Sequence, residues 1–197
     1  EAALPRRYSG AIDHEQKLLF DEQQAYKAYN MFRRVELPAP ISGRLLLHTM
    51  PGRFETLDNV WQHLESESVG AIVCLNEPHE IRLKSSRYAD ALESGNVPCP
   101  VLSFEIREGG VPEDRSAFWA LANDIATRLR AGQAVLIHCA GGMGRTAMLA
   151  VSVLLALGEP RDAAEERVSR AGSLVETMPQ IEMLAWCAQR VNPEVKE

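Results

Sequence analysis

The run His138-Cys139-Ala140-Gly141-Gly142-Met143-Gly144-Arg145-Thr146 gathers a thiol, a guanidinium and a hydroxyl around three glycines. An apolar segment at 134–137 precedes it and a long apolar stretch from about 145 to 157 follows. That pattern predicts a strand, a tight loop and a helix. Such a turn aims backbone N–H groups and a helix N-terminus at one point, which makes a cradle for an anion. The field that holds a phosphate also favours thiolate over thiol, so Cys139 is expected to be a nucleophile aimed at the bound oxyanion. Ala140, Gly141, Gly142, Met143 and Gly144 supply the N–H groups, and glycine lets the backbone wrap inward without steric cost. The planar fork of Arg145 matches two phosphate oxygens in a way a lysine does not. Thr146 is placed to donate its hydroxyl to the sulfur and ease departure of the thiolate. His138 is placed to fix the loop through ring hydrogen bonds. The bland alternative, an inert buried cysteine in a glycine-rich turn, requires the His, the Thr and the strand–helix context to coincide by chance.

The elements that must position this loop alternate along the chain. Short apolar runs at 45–48, 71–75, 101–106 and 134–138 read as buried parallel strands. A helix is expected over 56–65, with Leu57, Val60, Trp61 and Leu64 on one face. Another is expected over 112–130, with a proline near its start, Glu113 and Asp114 in its first turn, and Arg128 and Arg130 in its last. The last third reads as helices over about 145–157, 161–171 and 179–191. The fold expected is α/β: a central, mainly parallel sheet flanked by helices, with an added N-terminal helix. Ligands on such sheets sit at the carboxyl ends of the strands, and Cys139 follows one such end.

Residues 1–40 read as a helical extension to a domain over 41–197. Asp13 and Gln16 make a capping box. Ile12, Leu18, Leu19, Tyr26, Tyr29 and Phe32 recur at helical spacing over about 14–32. Packing on the domain is the plain reading of this helix. The sharper one is that it shapes a substrate entrance or partner surface, helped by Arg33 and Arg34. The stretch at 37–40 reads as a linker.

The net charge of −6 argues against nucleic acid as the partner and requires a local positive site for any phosphate. No segment is long and apolar enough to span a membrane, and the first residues carry no apolar run of the signal-peptide kind. The chain opens on Glu1, so the sequence is expected to begin inside a longer gene product. Cys74, Cys99, Cys139 and Cys187 show no paired spacing, which points to a reducing, cytoplasmic setting. No Cys/His cluster has metal-ligand spacing, so neither a metal nor another cofactor is expected.

The Cys-x5-Arg-Thr loop with His before the cysteine resembles that of the cysteine-dependent protein phosphatases. Residues 50–54, 71–75, 104–112 and 172–180 follow the order of the kinase-associated phosphatase group of dual-specificity phosphatases, a resemblance covering roughly 41–191. It implies a phosphotyrosine-phosphatase-like fold and hydrolysis of phosphotyrosine, and also of phosphoserine or phosphothreonine, in a protein or peptide through a phosphocysteine. It places Glu108 where the family has an acidic Asp that protonates the leaving group, with Glu105, Glu113 and Asp114 as other candidates. It places Gln180 where relatives orient the hydrolytic water, and Glu176 where the pattern has a second glutamine. Cys74, closing a neighbouring strand, is a candidate redox partner for Cys139. The loop carries no lysine for extra phosphates, which disfavours a polyphosphorylated inositol head group. Two competing readings remain: a phosphopeptide-binding pseudophosphatase with weak turnover, motivated by Glu in place of Asp, and a sulfurtransferase or arsenate-type thiol enzyme.

Overall fold

The computed structural model describes residues 32–191. The N-terminal helix expected over 14–32, with its Asp13 cap, lies outside these residues save for Phe32. Five strands form one sheet: β1 (Arg33–Val35), β2 (Arg44–His48), β3 (Val69–Cys74), β4 (Val101–Ser103) and β5 (Ala134–His138). Their order across the sheet is β1-β2-β5-β3-β4, with β1 antiparallel and every other pairing parallel. A mainly parallel sheet flanked by helices is thus what the sequence led one to expect. Residues 33–35, assigned by sequence to the extension over 1–40, are instead its edge strand, with Val35 opposite Leu45 and buried. The run was too short, and too charged at Arg33 and Arg34, to read as a strand.

Helices α1 (Leu57–Ser66), α2 (Pro78–Lys84) and α3 (Ser86–Ser94) lie among the first strands. They are followed by α4 (Arg115–Arg130), α5 (Gly144–Ala156), α6 (Arg161–Arg170) and α7 (Met178–Val191). Asp114 is the N-cap of α4 and not part of its first turn: its carboxylate accepts from the N–H groups of Ser116 and Ala117 at 2.8 and 2.9 Å. The fourth strand stops at Ser103, earlier than expected, but the chain stays extended beyond it. Phe104 and Ile106 still donate to the carbonyls of Cys74 and Leu75.

Burial explains why β5 is central. All five of its residues are buried, and every residue of α5 from Gly144 to Leu155 is buried as well. One face of the sheet packs against α4, α5, α6 and α7 through Phe118, Ile125, Leu149, Leu154, Val168 and Leu184. Smaller clusters on α1 (Val60, Leu64) and α3 (Tyr88) involve sheet residues such as Leu136 and Cys74. Each fully buried Leu or Phe of this kind contributes roughly 1.5–3 kcal/mol. The loop after β5 therefore springs from the most fully buried strand and feeds the most enclosed helix. At the carboxyl end of the sheet His48, His138 and Cys74 stand abreast in register.

Candidate active site

The loop from Cys139 to Met143 is held from outside by its carbonyls. Ala140 O accepts from Met50 N at 3.3 Å. Gly142 O accepts from Arg33 Nη2 at 2.6 Å and from Ser173 Oγ at 2.9 Å. Arg33 Nη1 also donates to Gly172 O, and so ties β1 to two loops at once. Carbonyls turned outward leave the N–H groups free to converge inward. Gly142 has φ +67°, and a Cβ there would stand 2.5 Å from Arg33 Nη2 and His48 O, so only glycine fits. Cys139 is 3% and Ala140 1% exposed, at the floor of the loop.

Arg145 leads out of the loop into α5 and is 3% exposed. Its fork is fixed from behind: Nη1 and Nη2 donate to the two carboxylate oxygens of Glu80 at 2.8 and 2.9 Å, and Nη1 donates to Ile106 O at 2.8 Å. Glu80, on α2, also accepts from Asn76 Nδ2 and Lys84 Nζ, both at 2.8 Å. Burial works to raise the Glu80 carboxyl, but the hydrogen bonds from Arg145, Lys84 and Asn76 outweigh it and hold it at about 2. Burial opposes the Arg145 charge too, and Glu80 reverses that and raises its pKa. A cation fixed in this way is ready for an anion without side-chain reorganisation.

His138 Nε2 meets the Tyr88 hydroxyl at 3.0 Å, and the rings pack edge to face. Burial, with His48 and Arg145 adding to it, pushes the His138 imidazole down to about 3, so it is neutral. Thr146 is fully buried, and its Oγ1 has no hydrogen-bond partner among the described residues, the Cys139 sulfur included. Cys74 is buried at the end of β3. Burial pushes its thiol up to about 12, and a protonated thiol attacks an oxidised sulfur poorly.

The loop over 104–112 borders the same cradle through Ile106 O. Glu108 on that loop is exposed, and both its carboxylate oxygens accept from Lys84 Nζ, at 3.0 and 2.9 Å. Lys84 thereby links Glu108 to Glu80 and on to Arg145. Glu105, Glu113 and Asp114 line a cavity of about 620 Å³ bordered by this loop, with Asp114 engaged as the α4 cap. From the far side, Glu176 Oε2 accepts the Gly144 N–H at 3.0 Å. Gln180 is buried, and both ends of its amide are used: Oε1 accepts Glu176 N–H at 2.9 Å and Nε2 donates to Gly110 O at 3.2 Å. A Cβ at Gly144 would collide with Glu176 and Gln180.

Sequence reasoning missed Glu80, Lys84, Tyr88 and the role of Arg33. Glu80 and Lys84 carry only the i,i+4 spacing of a common helix-surface pair, and Tyr88 is one aromatic among polar neighbours. Only the strand order carries them to the cysteine loop.

Known proteins share both the sequence of this region and the fold. A family model described as cyclin-dependent kinase inhibitor 3 matches residues 96–165. The rat cyclin-dependent kinase inhibitor 3 is 34% identical over 83 residues, which cover 40% of this chain and 39% of that protein. The aligned part thus spans about two fifths of that relative's length. A crystal structure of kinase associated phosphatase, with its catalytic-site cysteine replaced by serine, matches with a TM-score of 0.68 at 19% identity. The match covers 84% of this chain and 98% of that one. The chain resembles the kinase-associated phosphatase group. Tk-PTP in its active form matches with a TM-score of 0.61 at 29% identity, over 80% of this chain and 97% of the other. The fold is that of dual-specificity and tyrosine phosphatases. No helix among the described residues is long and apolar enough to cross a membrane.

Proposed function

We propose that this chain is a protein phosphatase that hydrolyses phosphotyrosine in protein or peptide substrates, and phosphoserine or phosphothreonine less readily, through a phosphocysteine on Cys139. The observation that carries the reading is the Arg145 fork held by Glu80 and Ile106 O beside a loop whose carbonyls are tied outward. In the first step the Cys139 thiolate attacks phosphorus in line, and the bond to the leaving oxygen breaks. The loop N–H groups of 140–145 and the Arg145 guanidinium stabilise the equatorial oxygens. Glu108 protonates the leaving oxygen, for which it must leave Lys84. A phenolate asks least of that acid, which is the reason to rank phosphotyrosine first. In the second step water displaces the thiolate, and Thr146 Oγ1, without a hydrogen-bond partner among the described residues, turns to the departing sulfur. His138 keeps the start of the loop in place through Tyr88.

Cys74, Cys99, Cys139 and Cys187 are all free, which fits a reducing, cytoplasmic setting. The presence of both the nucleophile and the arginine counts against the pseudophosphatase. Turnover of p-nitrophenyl phosphate and of matched phosphotyrosine and phosphothreonine peptides tests the reading. The expected order is p-nitrophenyl phosphate and phosphotyrosine well ahead of phosphothreonine, with Cys139→Ser reduced to background on all three. A phosphothreonine rate equal to the phosphotyrosine rate contradicts the ranking, and an active Cys139→Ser contradicts the reading.

A further inference from the structure

We infer that Glu176 is the general base that activates water for hydrolysis of the phosphocysteine, a role that rests on the phosphatase reading above. Gly144 N–H is one of the donors the cradle offers, and the Glu176 carboxylate accepts it at 3.0 Å. An anionic side chain of this protein therefore sits at the edge of the position a transferring phosphoryl group takes. When the phosphoryl group on Cys139 claims that N–H, the carboxylate is released beside it. Gln180 anchors the backbone that carries Glu176, since its Oε1 holds the Glu176 N–H and its Nε2 is bound to Gly110 O. A neutral amide engaged at both ends neither takes a proton nor turns toward water. Glu108 is held at Lys84 by both oxygens, away from the loop N–H groups. Of the two carboxylates expected at this rim, Glu176 is the one that touches a donor of the cradle itself.

The step balances without a further reactant. A water oxygen forms a bond to phosphorus while the P–S bond breaks, and the electron pair of that bond returns to Cys139 as thiolate. The water proton passes to the Glu176 carboxylate and then to solvent, and inorganic phosphate leaves. Gly144 suits this placement, because any side chain there would meet the Glu176 and Gln180 head groups.

Glu176→Gln keeps the shape and the acceptor for Gly144 N–H while removing the base, so it separates positioning from proton transfer. With p-nitrophenyl phosphate in rapid-mixing experiments, this variant is expected to release about one nitrophenolate per enzyme in a burst. Steady turnover then runs slower than wild type by on the order of 10²-fold. Acid-quenched protein is expected to carry a phosphoryl group on Cys139. Glu176→Ala is expected to accumulate the same species, and added formate, a small external base, to speed its breakdown. A Glu176→Gln protein that turns over like wild type overturns the role. So does one that is slow without a burst and without phosphocysteine. Wild-type enzyme that never forms phosphocysteine overturns the phosphatase reading and this inference with it, whereas normal wild-type turnover with unaffected variants overturns this inference alone.

Discussion

The Arg145 and Glu80 side chains are 3% and 7% exposed on one side of the cysteine loop, whereas that of Glu108 is 70% exposed on another. The first pair is bidentate, has Asn76, Lys84 and Ile106 O as further partners, and lies between α5 and α2. The second carboxylate has one partner, a lysine, at the water's edge. Glu176 stands with it as an exposed side chain on a connecting segment. The contrast teaches where rigidity is useful. Stabilising charge on a phosphoryl group works best from dipoles and cations that need no reorganisation. Carrying a proton requires a group that alternates between two states, and a carboxylate welded to a buried arginine cannot do so.

The buried half should be the more sensitive to breakage. Glu80→Gln removes the charge opposite Arg145 and leaves a buried guanidinium unpaired, a type of change that costs about 3–5 kcal/mol. Urea denaturation is expected to register that loss, and kcat is expected to fall with it because the fork is no longer held. A Glu80→Gln protein as stable and active as wild type would erase the distinction between the halves. In the exposed half, Glu108→Gln is expected to leave stability essentially unchanged, since an exposed ion pair contributes roughly 0–1 kcal/mol. It should lower kcat on a phosphothreonine peptide by on the order of 10²-fold, and by less on p-nitrophenyl phosphate, whose leaving group needs little help. Equal losses on both substrates would remove Glu108 from the acid role.

A further effect is expected on the pH dependence of stability, and the buried groups His138 and Glu80 contribute to it. His138 is held at about 3 against an ordinary 6.5, so the unfolded chain binds that proton first as pH falls. Glu80 is held at about 2 against 4.5, so below 4.5 the unfolded chain again binds more protons than the folded one. Both shifts therefore remove stability as pH drops. The urea midpoint is expected to decline from about pH 6.5 downward and to steepen below 4.5. The Glu80→Gln variant should lack that steepening, while Glu108→Gln should retain it.

The same contrast sorts what could be read from sequence. The loop was legible because a glycine-rich turn between an apolar strand and an apolar helix has a local pattern, and β5 and α5 fall within a residue or so of where that pattern puts them. The parallel strands were legible as apolar runs for the same reason. The Arg145–Glu80 pair was not, since 65 residues separate the partners and only the neighbouring of β3 and β5 brings them together. β1 was hidden because an edge strand with two arginines has neither the length nor the apolarity of the others. Arg33, expected to serve an entrance surface, turns out to hold the back of the cysteine loop at Gly142 O. Gln180 was expected where relatives orient the hydrolytic water, and its amide holds Glu176 N–H and Gly110 O, contacts that no local sequence pattern shows.

The proposed chemistry requires a covalent bond between phosphorus and one sulfur. Acid quenching within the first turnover of p-nitrophenyl phosphate, followed by peptide mapping by mass, tests it most directly. A phosphoryl group on the peptide bearing Cys139, absent from Cys139→Ser, is the result predicted. Continued hydrolysis by Cys139→Ser, or a phosphoryl group found on another residue, would contradict it.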